Sequence, residues 1–182
     1  SYLKLGMNLD DKGEYDNALV FYQKCLEIQL KILGSEHPKV ADTLRNFGFT
    51  LHNKGDYEKA LWYYQNCLAI QINTLGPEHY DLATTYNNIG ASWHKKNNFE
   101  KALLFYQNCL DIELKKLGPE HPNLATSYNN IGYLFNSKNE CDKALEFHFN
   151  SLNIRLSSLG NQHPDVANSY LNIGLSFDNK GE

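Results

Sequence analysis

The chain has 182 residues, 42% of them apolar and 13% aromatic, which is enough for one domain with a continuous core. With 21% charged residues and a formal net charge of -4, it lacks both the charge excess of a disordered chain and the basic excess that neutralises phosphates, so no nucleic-acid partner is expected. No run approaches the roughly 18 apolar residues of a membrane span, and no basic-then-apolar leader opens the chain, so no membrane partner is expected and a cytoplasmic location is.

Slid against itself, the sequence matches at an offset of 42. Leu-Gly-x-Glu/Gln-His recurs at Leu33 to His37, Leu75 to His79, Leu117 to His121 and Leu159 to His163. Residues 57–98 and 99–140 share 25 identities in 42 without a gap, the mark of tandem duplication. The expected organisation is a single array over 1–182: a partial unit 1–37, full units 38–79, 80–121 and 122–163, and a partial unit 164–182. Ser1 and Glu182 both fall inside the pattern, so a piece of a longer protein is expected.

The first unit carries a glycine, Gly6, twelve residues before Ala18. The second shows how each unit folds. Val40, Ala41, Leu44, Phe47, Gly48 and Leu51 share one face of a 3.6-residue period, which predicts a first helix. A turn at Lys54-Gly55-Asp56 follows, then Ala60, Leu61, Tyr64, Leu68, Ile72 and Leu75 predict a longer second helix. Gly76 stands where a left-handed residue ends a helix, and Pro38, Pro122 and Pro164 stand where a first-turn proline opens the next. Gly48, Gly90, Gly132 and Gly174 continue the series begun at Gly6; each costs about 1 kcal/mol relative to Ala, so close approach of two helices must favour it. Two helices cannot bury their apolar faces alone, so units must stack. An all-α, right-handed superhelical α-solenoid of helix-turn-helix units, about four and a half repeats long, is expected.

Tyr86, Ile89, Gly90, Trp93, Ala102 and Tyr106 carry the large–Leu-Gly–aromatic–Ala–aromatic spacing by which the chain resembles tetratricopeptide repeat proteins. The unit is eight residues longer than the usual 34. That period, with Leu-Gly-x-x-His-Pro between units and Asn-Asn-Ile-Gly in the first helix, resembles the kinesin-light-chain variety. The resemblance spans the whole chain.

Four loop histidines, His37, His79, His121 and His163, invite a metal reading, but stacked repeats separate equivalent points by more than a shared ion allows. They are expected to be loop residues before helix starts, with no metal and no cofactor. Cys25, Cys67 and Cys109 are again 42 apart, with Ser151 in the fourth place, and are expected to be buried and reduced. Cys141 replaces the aromatic of Tyr15, Tyr57 and Phe99; local loosening or a redox role would each account for it. No catalytic motif is present and no polar cluster breaks the repeat, so no enzyme is expected.

Asparagine is the polar residue in excess, with 22 copies in a chain expected to be nearly all helix. Asn53, Asn97, Asn139 and Asn179 fall in turns or near caps. Asn46, Asn88, Asn130 and Asn172 recur two residues before the mid-helix glycines, with Asn87 and Asn129 beside two of them. The resemblance implies that first helices line a concave groove and that this asparagine contacts a bound peptide's backbone. An amide offers both acceptor and donors, so it suits main-chain groups of any sequence. Arg45, Phe49, His52, Ala91, His94, Lys95, Tyr133 and Asn136 are the candidates for selectivity. The alternative is that the asparagines brace neighbouring helices. A non-catalytic adaptor or scaffold that binds an extended peptide of a partner protein is expected; a sensor segment of a larger signalling protein, or end-to-end self-association through uncapped terminal helices, is the alternative.

Overall fold

The computed structural model describes residues 1–181, and among them it contains nine α-helices and no strand. They run α1 (Tyr2–Asp11), α2 (Tyr15–Leu33), α3 (Pro38–Lys54), α4 (Tyr57–Leu75), α5 (Leu82–Lys95), α6 (Phe99–Leu117), α7 (Asn123–Ser137), α8 (Cys141–Leu159) and α9 (Pro164–Lys180). Odd-numbered helices are the expected first helices and even-numbered ones the second.

Local chemistry sets the boundaries. The Nδ1 atoms of His37, His79, His121 and His163 each accept a hydrogen bond from the backbone N–H two residues on, at 3.1–3.2 Å. At His37 and His163 the imidazole is the N-cap and satisfies a donor that the first turn leaves orphaned; before α5 and α7, whose N-caps are Asp81 and Pro122, the same bond closes the loop at the helix edge. Pro38 and Pro164 occupy the first helical position, while α7 begins one residue after Pro122. Second helices α4 and α6 start from Asp56 and Asn98, whose side chains accept from Lys59 and Lys101 N–H at 3.2 Å. They end at Gly76 (φ 88°, ψ 160°) and Gly118 (φ 83°, ψ 166°). Those angles are not the left-handed helical ones expected for Gly76; they lie in a region that glycine alone enters readily, so the phrase is stricter than an ordinary helix stop.

The chain forms two compact units, Ser1–Lys96 and Asn97–Glu182. In the first, α1 to α5 pack consecutively, and first helices also meet directly, α1 with α3 and α3 with α5. Val40, Ala41, Leu44, Cys67 and Ile70 form a core cluster, and Phe47 stacks on Tyr63 with centroids 4.2 Å apart. In the second unit α6 to α9 pack consecutively and α7 meets α9; Leu145, Leu152, Val166 and Ile173 form its cluster. Within each unit no comparable approach joins neighbouring second helices. First helices therefore occupy the inner side of each unit's curve.

The mid-helix glycines have a specific cause. A Cβ on Gly48 would lie 2.8 Å from the Tyr64 ring and 3.2 Å from the Ala60 carbonyl oxygen; on Gly132 it would lie 2.6 Å from the His148 ring. In α2, α4 and α8 the aromatic ring thus rests on bare first-helix backbone, whereas nothing approaches Gly174, where the expected close contact is not made.

Candidate functional site

In the first unit, α3 presents Arg45, Asn46, Phe49 and His52, and α5 presents Asn87, Asn88, Ala91, His94 and Lys95. Asn46 and Asn88 are half-buried. Asn46 donates through Nδ2 to the Asp42 carbonyl at 2.7 Å, one turn back on its own helix, leaving its carbonyl oxygen outward. Asn88 forms no side-chain hydrogen bond among the described residues. Asn87 is half-buried and held by its surroundings. Phe49 is 45% exposed, an apolar ring facing solvent. Small Ala91 occupies the matching place on α5.

His52 bridges the two first helices, its Nδ1 2.8 Å from Ser92 Oγ. Burial lowers the pKa of both His52 and His94, and the Lys95 ammonium lowers both further. Two neutral imidazoles and one exposed cation therefore share this end of the row at pH 7. At the other end, Arg45 is partly enclosed and its guanidinium reaches only Asp42, at 3.6 Å. It lines a cavity of about 350 Å³ with Asp42, Gln71, Tyr80 and Asp81.

The second unit arranges the same positions differently. Asn172 is 4% exposed, and its Nδ2 donates to Asn129 Oδ1 at 2.8 Å while its Oδ1 accepts from the Tyr133 hydroxyl at 2.6 Å. His148 Nδ1 lies 3.2 Å from Asn129 Oδ1, and the Tyr133 ring meets the His148 ring edge-on at 5.5 Å. Asn136 Nδ2 donates to Ser176 Oγ at 2.8 Å and lies 3.4 Å from His148 Nε2; its Oδ1 is buried without a partner. Asn130 is half-buried and engaged within the chain. For His148 to donate to Asn129 and accept from Asn136, Nδ1 must carry the proton. The ring is neutral, since burial, with Arg155 adding to it, pushes its pKa down to about 4.

Asn129, Tyr133, Asn136 and Asn172 are thus drawn together around a histidine that the sequence reading passed over. A polar cluster does break the repeat. Its signal was present: His148 stands where Tyr22, Tyr64 and Tyr106 stand in the other units. Also missed was a polar row between repeats. Thr43 donates to Gln29 at 2.7 Å, Thr85 to Gln71 at 2.8 Å, and Ser127 to Glu113 at 2.6 Å; Arg155 donates to Ser169 at 2.7 Å. Cys25, Cys67 and Cys109 lie against these hydroxyls, buried and unpaired as disulfides, and burial pushes the Cys67 thiol up to about 11. Cys141 is buried at the start of α8. Among the described residues no three His, Cys, Asp or Glu side chains converge to hold a metal, and no helix is long and apolar enough to cross a membrane.

The sequence matches the family described as tetratricopeptide repeat over residues 1–61, 41–115 and 94–148. No curated protein matches it. Among solved structures, BtubC (BKLC) from P. vanneervenii superposes with a TM-score of 0.86 at 23% identity, over 97% of this chain and 70% of that one. A single-residue variant of nearly identical TPR-like repeats from Podosopora anserina, described as kinesin light chain-like, gives 0.85 at 20% identity, over 99% and 85%. MamA gives 0.66 at 21% identity, over 99% and 81%. At these identities the likeness concerns the fold, an α-solenoid of helical hairpins.

Proposed function

The chain belongs to the tetratricopeptide repeat family, whose members generally serve as protein-interaction scaffolds, and from that premise we propose that its first-helix face binds an extended peptide of a partner protein. The observation that carries this reading is Asn88. This partly exposed amide on the inner side of the first unit spends neither its donors nor its acceptor within the chain, leaving water or a ligand to complete them. An extended backbone, with alternating N–H and C=O groups, meets that need without regard to sequence.

Selectivity comes from the side chains around the row. Phe49 and the space over Ala91 favour an apolar or aromatic anchor. Lys95, exposed, and Arg45, whose one ion pair is the long 3.6 Å contact with Asp42, favour a carboxylate beside it. In the second unit the network around His148 occupies both ends of the Asn172 amide and the Asn129 oxygen, so these side chains brace the wall of the face and the backbone contacts fall to the open amides of the row. The protein acts without catalysis, cofactor or metal, in the cytoplasm, on protein rather than nucleic acid or membrane.

Random-peptide display tests this reading, run in parallel on the protein and on an Asn88→Leu/Asn130→Leu variant shown by circular dichroism to remain helical. One motif enriched on the first and lost on the second is the expected outcome. Enrichment of nothing on either would sink the groove reading. A second reading, self-association or use as a sensor segment, is favoured by α9, which exposes Tyr170, Leu171 and Leu175. Sedimentation showing only monomer at high concentration would remove self-association.

A further inference from the structure

Because second helices diverge on the outer side of each unit, a groove opens between them. In the first unit it runs between α2 and α4 and encloses about 270 Å³. That lies below the roughly 300–1,000 Å³ of small-molecule sites and suits one long side chain. Its floor is Val40 and Leu44 of α3, its walls include Leu30 and Ile70, and Trp62 and Glu36 also line it. None of the residues assigned above to the peptide face takes part.

Three observations define what fits. Trp62 is 58% exposed, a large indole held at a pocket rim where burial against water would otherwise be favoured. Glu36 carries the pocket's only charge; its carboxylate receives one long hydrogen bond, 3.4 Å from Asn73 Nδ2, and has no cation partner. Asn66 donates to the Trp62 carbonyl at 2.7 Å, and its own side-chain oxygen is left as a second acceptor. An aromatic face, an unneutralised carboxylate and an amide acceptor around an aliphatic floor complement a planar cation on an aliphatic stem.

We infer that this outer groove of the first unit is a docking site for an arginine side chain of a protein partner. The stem lies on Leu30 and Ile70, and the guanidinium pairs with Glu36 and stacks on Trp62. Arginine suits it better than lysine, because a planar fork can meet a carboxylate with two N–H groups while lying flat on an indole. The array supplies a built-in comparison. The matching groove of the second unit, about 390 Å³, keeps Glu120 and Asn150, but Glu146 stands at the position of Trp62. There the aromatic ring is Tyr128 on the floor, at the position of Leu44, and no indole stands at the rim beside the carboxylate, so the site as built belongs to the first unit.

The test titrates the full chain, labelled with nitrogen-15, with a capped five-residue peptide that has arginine at its centre and alanine and glycine around it. Control peptides place lysine, norleucine or glutamate at the centre. Saturable shifts of the Trp62 indole N–H and the Asn66 and Asn73 side-chain amides, with the arginine peptide tightest, are expected. Two variants borrow residues that the array already accepts at the same repeat position: Glu36→Gln, as at Gln162, and Trp62→Leu, as at Leu104. Each should weaken the arginine peptide by about tenfold or more, while Asn88→Leu should leave it unchanged. The inference is overturned if norleucine or lysine binds as tightly as arginine, if Glu36→Gln binds as the parent does, or if no saturable shift occurs.

Discussion

His148 shows how one substitution in a repeat can reset local chemistry. In the unfolded chain an imidazole titrates near 6.5, whereas here it is fully buried and titrates at about 4. Between those values the unfolded chain binds a proton that the folded chain refuses, so the stability present above pH 6.5 is lost as pH falls towards 4. The gap corresponds to about 3 kcal/mol. His148→Tyr, which restores the residue of the other units, should flatten that part of the acid limb by about this amount; urea melts of both proteins between pH 4 and 7 check it. Gly48→Ala makes a second residue-scale test. The added methyl meets the buried Tyr64 ring and a backbone carbonyl, neither of which can easily yield, so a loss of about 1–3 kcal/mol in denaturant unfolding is expected.

Among elements, the interfaces between a second helix and the next first helix carry the polar row from Gln29 to Arg155. Glu113 is its anomaly, 7% exposed and raised in pKa mainly by burial. Glu113→Gln, matching Gln29 and Gln71, keeps an oxygen for Ser127 and removes a buried charge. It should stabilise the chain at pH 7 by roughly 1 kcal/mol. The gain should shrink as pH falls through the raised carboxyl pKa, because protonation then neutralises the parent as well. Helix starts offer a separate check: His163→Ala removes the cap on Asp165 N–H and should cost about 1 kcal/mol by thermal unfolding. By contrast, exposed ion pairs that repeat along the edge, Lys54 with Asp16, Lys96 with Glu58 and Lys180 with Asp142, are solvent-screened and contribute at most about 1 kcal/mol each. Helices, turns and caps were legible in the sequence because each is dictated by residues close in the chain and then repeated. Asn97 and Asn139, for instance, stand in turns with positive φ, where Gly55 stands in the repeat 38–79.

At the scale of the whole molecule, the period of 42 makes stacking legible and makes departures from it hard to weigh. Gly48 and Tyr64 could be paired by their repeating spacing. The join of His148 to Asn129, Asn136 and Tyr133 could not, because it occurs once and depends on side chains from two helices meeting at hydrogen-bond distance. Nor could the groove between α2 and α4, whose existence follows from how far second helices diverge rather than from any local pattern. The asparagine row itself was visible as a period, yet its members differ in kind. Asn88 is open, Asn46 is half engaged with its own helix, and Asn172 is enclosed by Asn129 and Tyr133. A regular ladder in sequence is therefore a graded one in space.

The most direct measurement follows the side-chain amide resonances of Asn88 and Asn130 during titration with the peptide that display enriches. Saturable shifts of both, tracking the affinity and lost when the peptide's central amides are replaced by esters, are the expected result. Shifts confined to Trp62, Asn66 and Asn73, with Asn88 and Asn130 unmoved, would contradict recognition of a peptide backbone by the first-helix face.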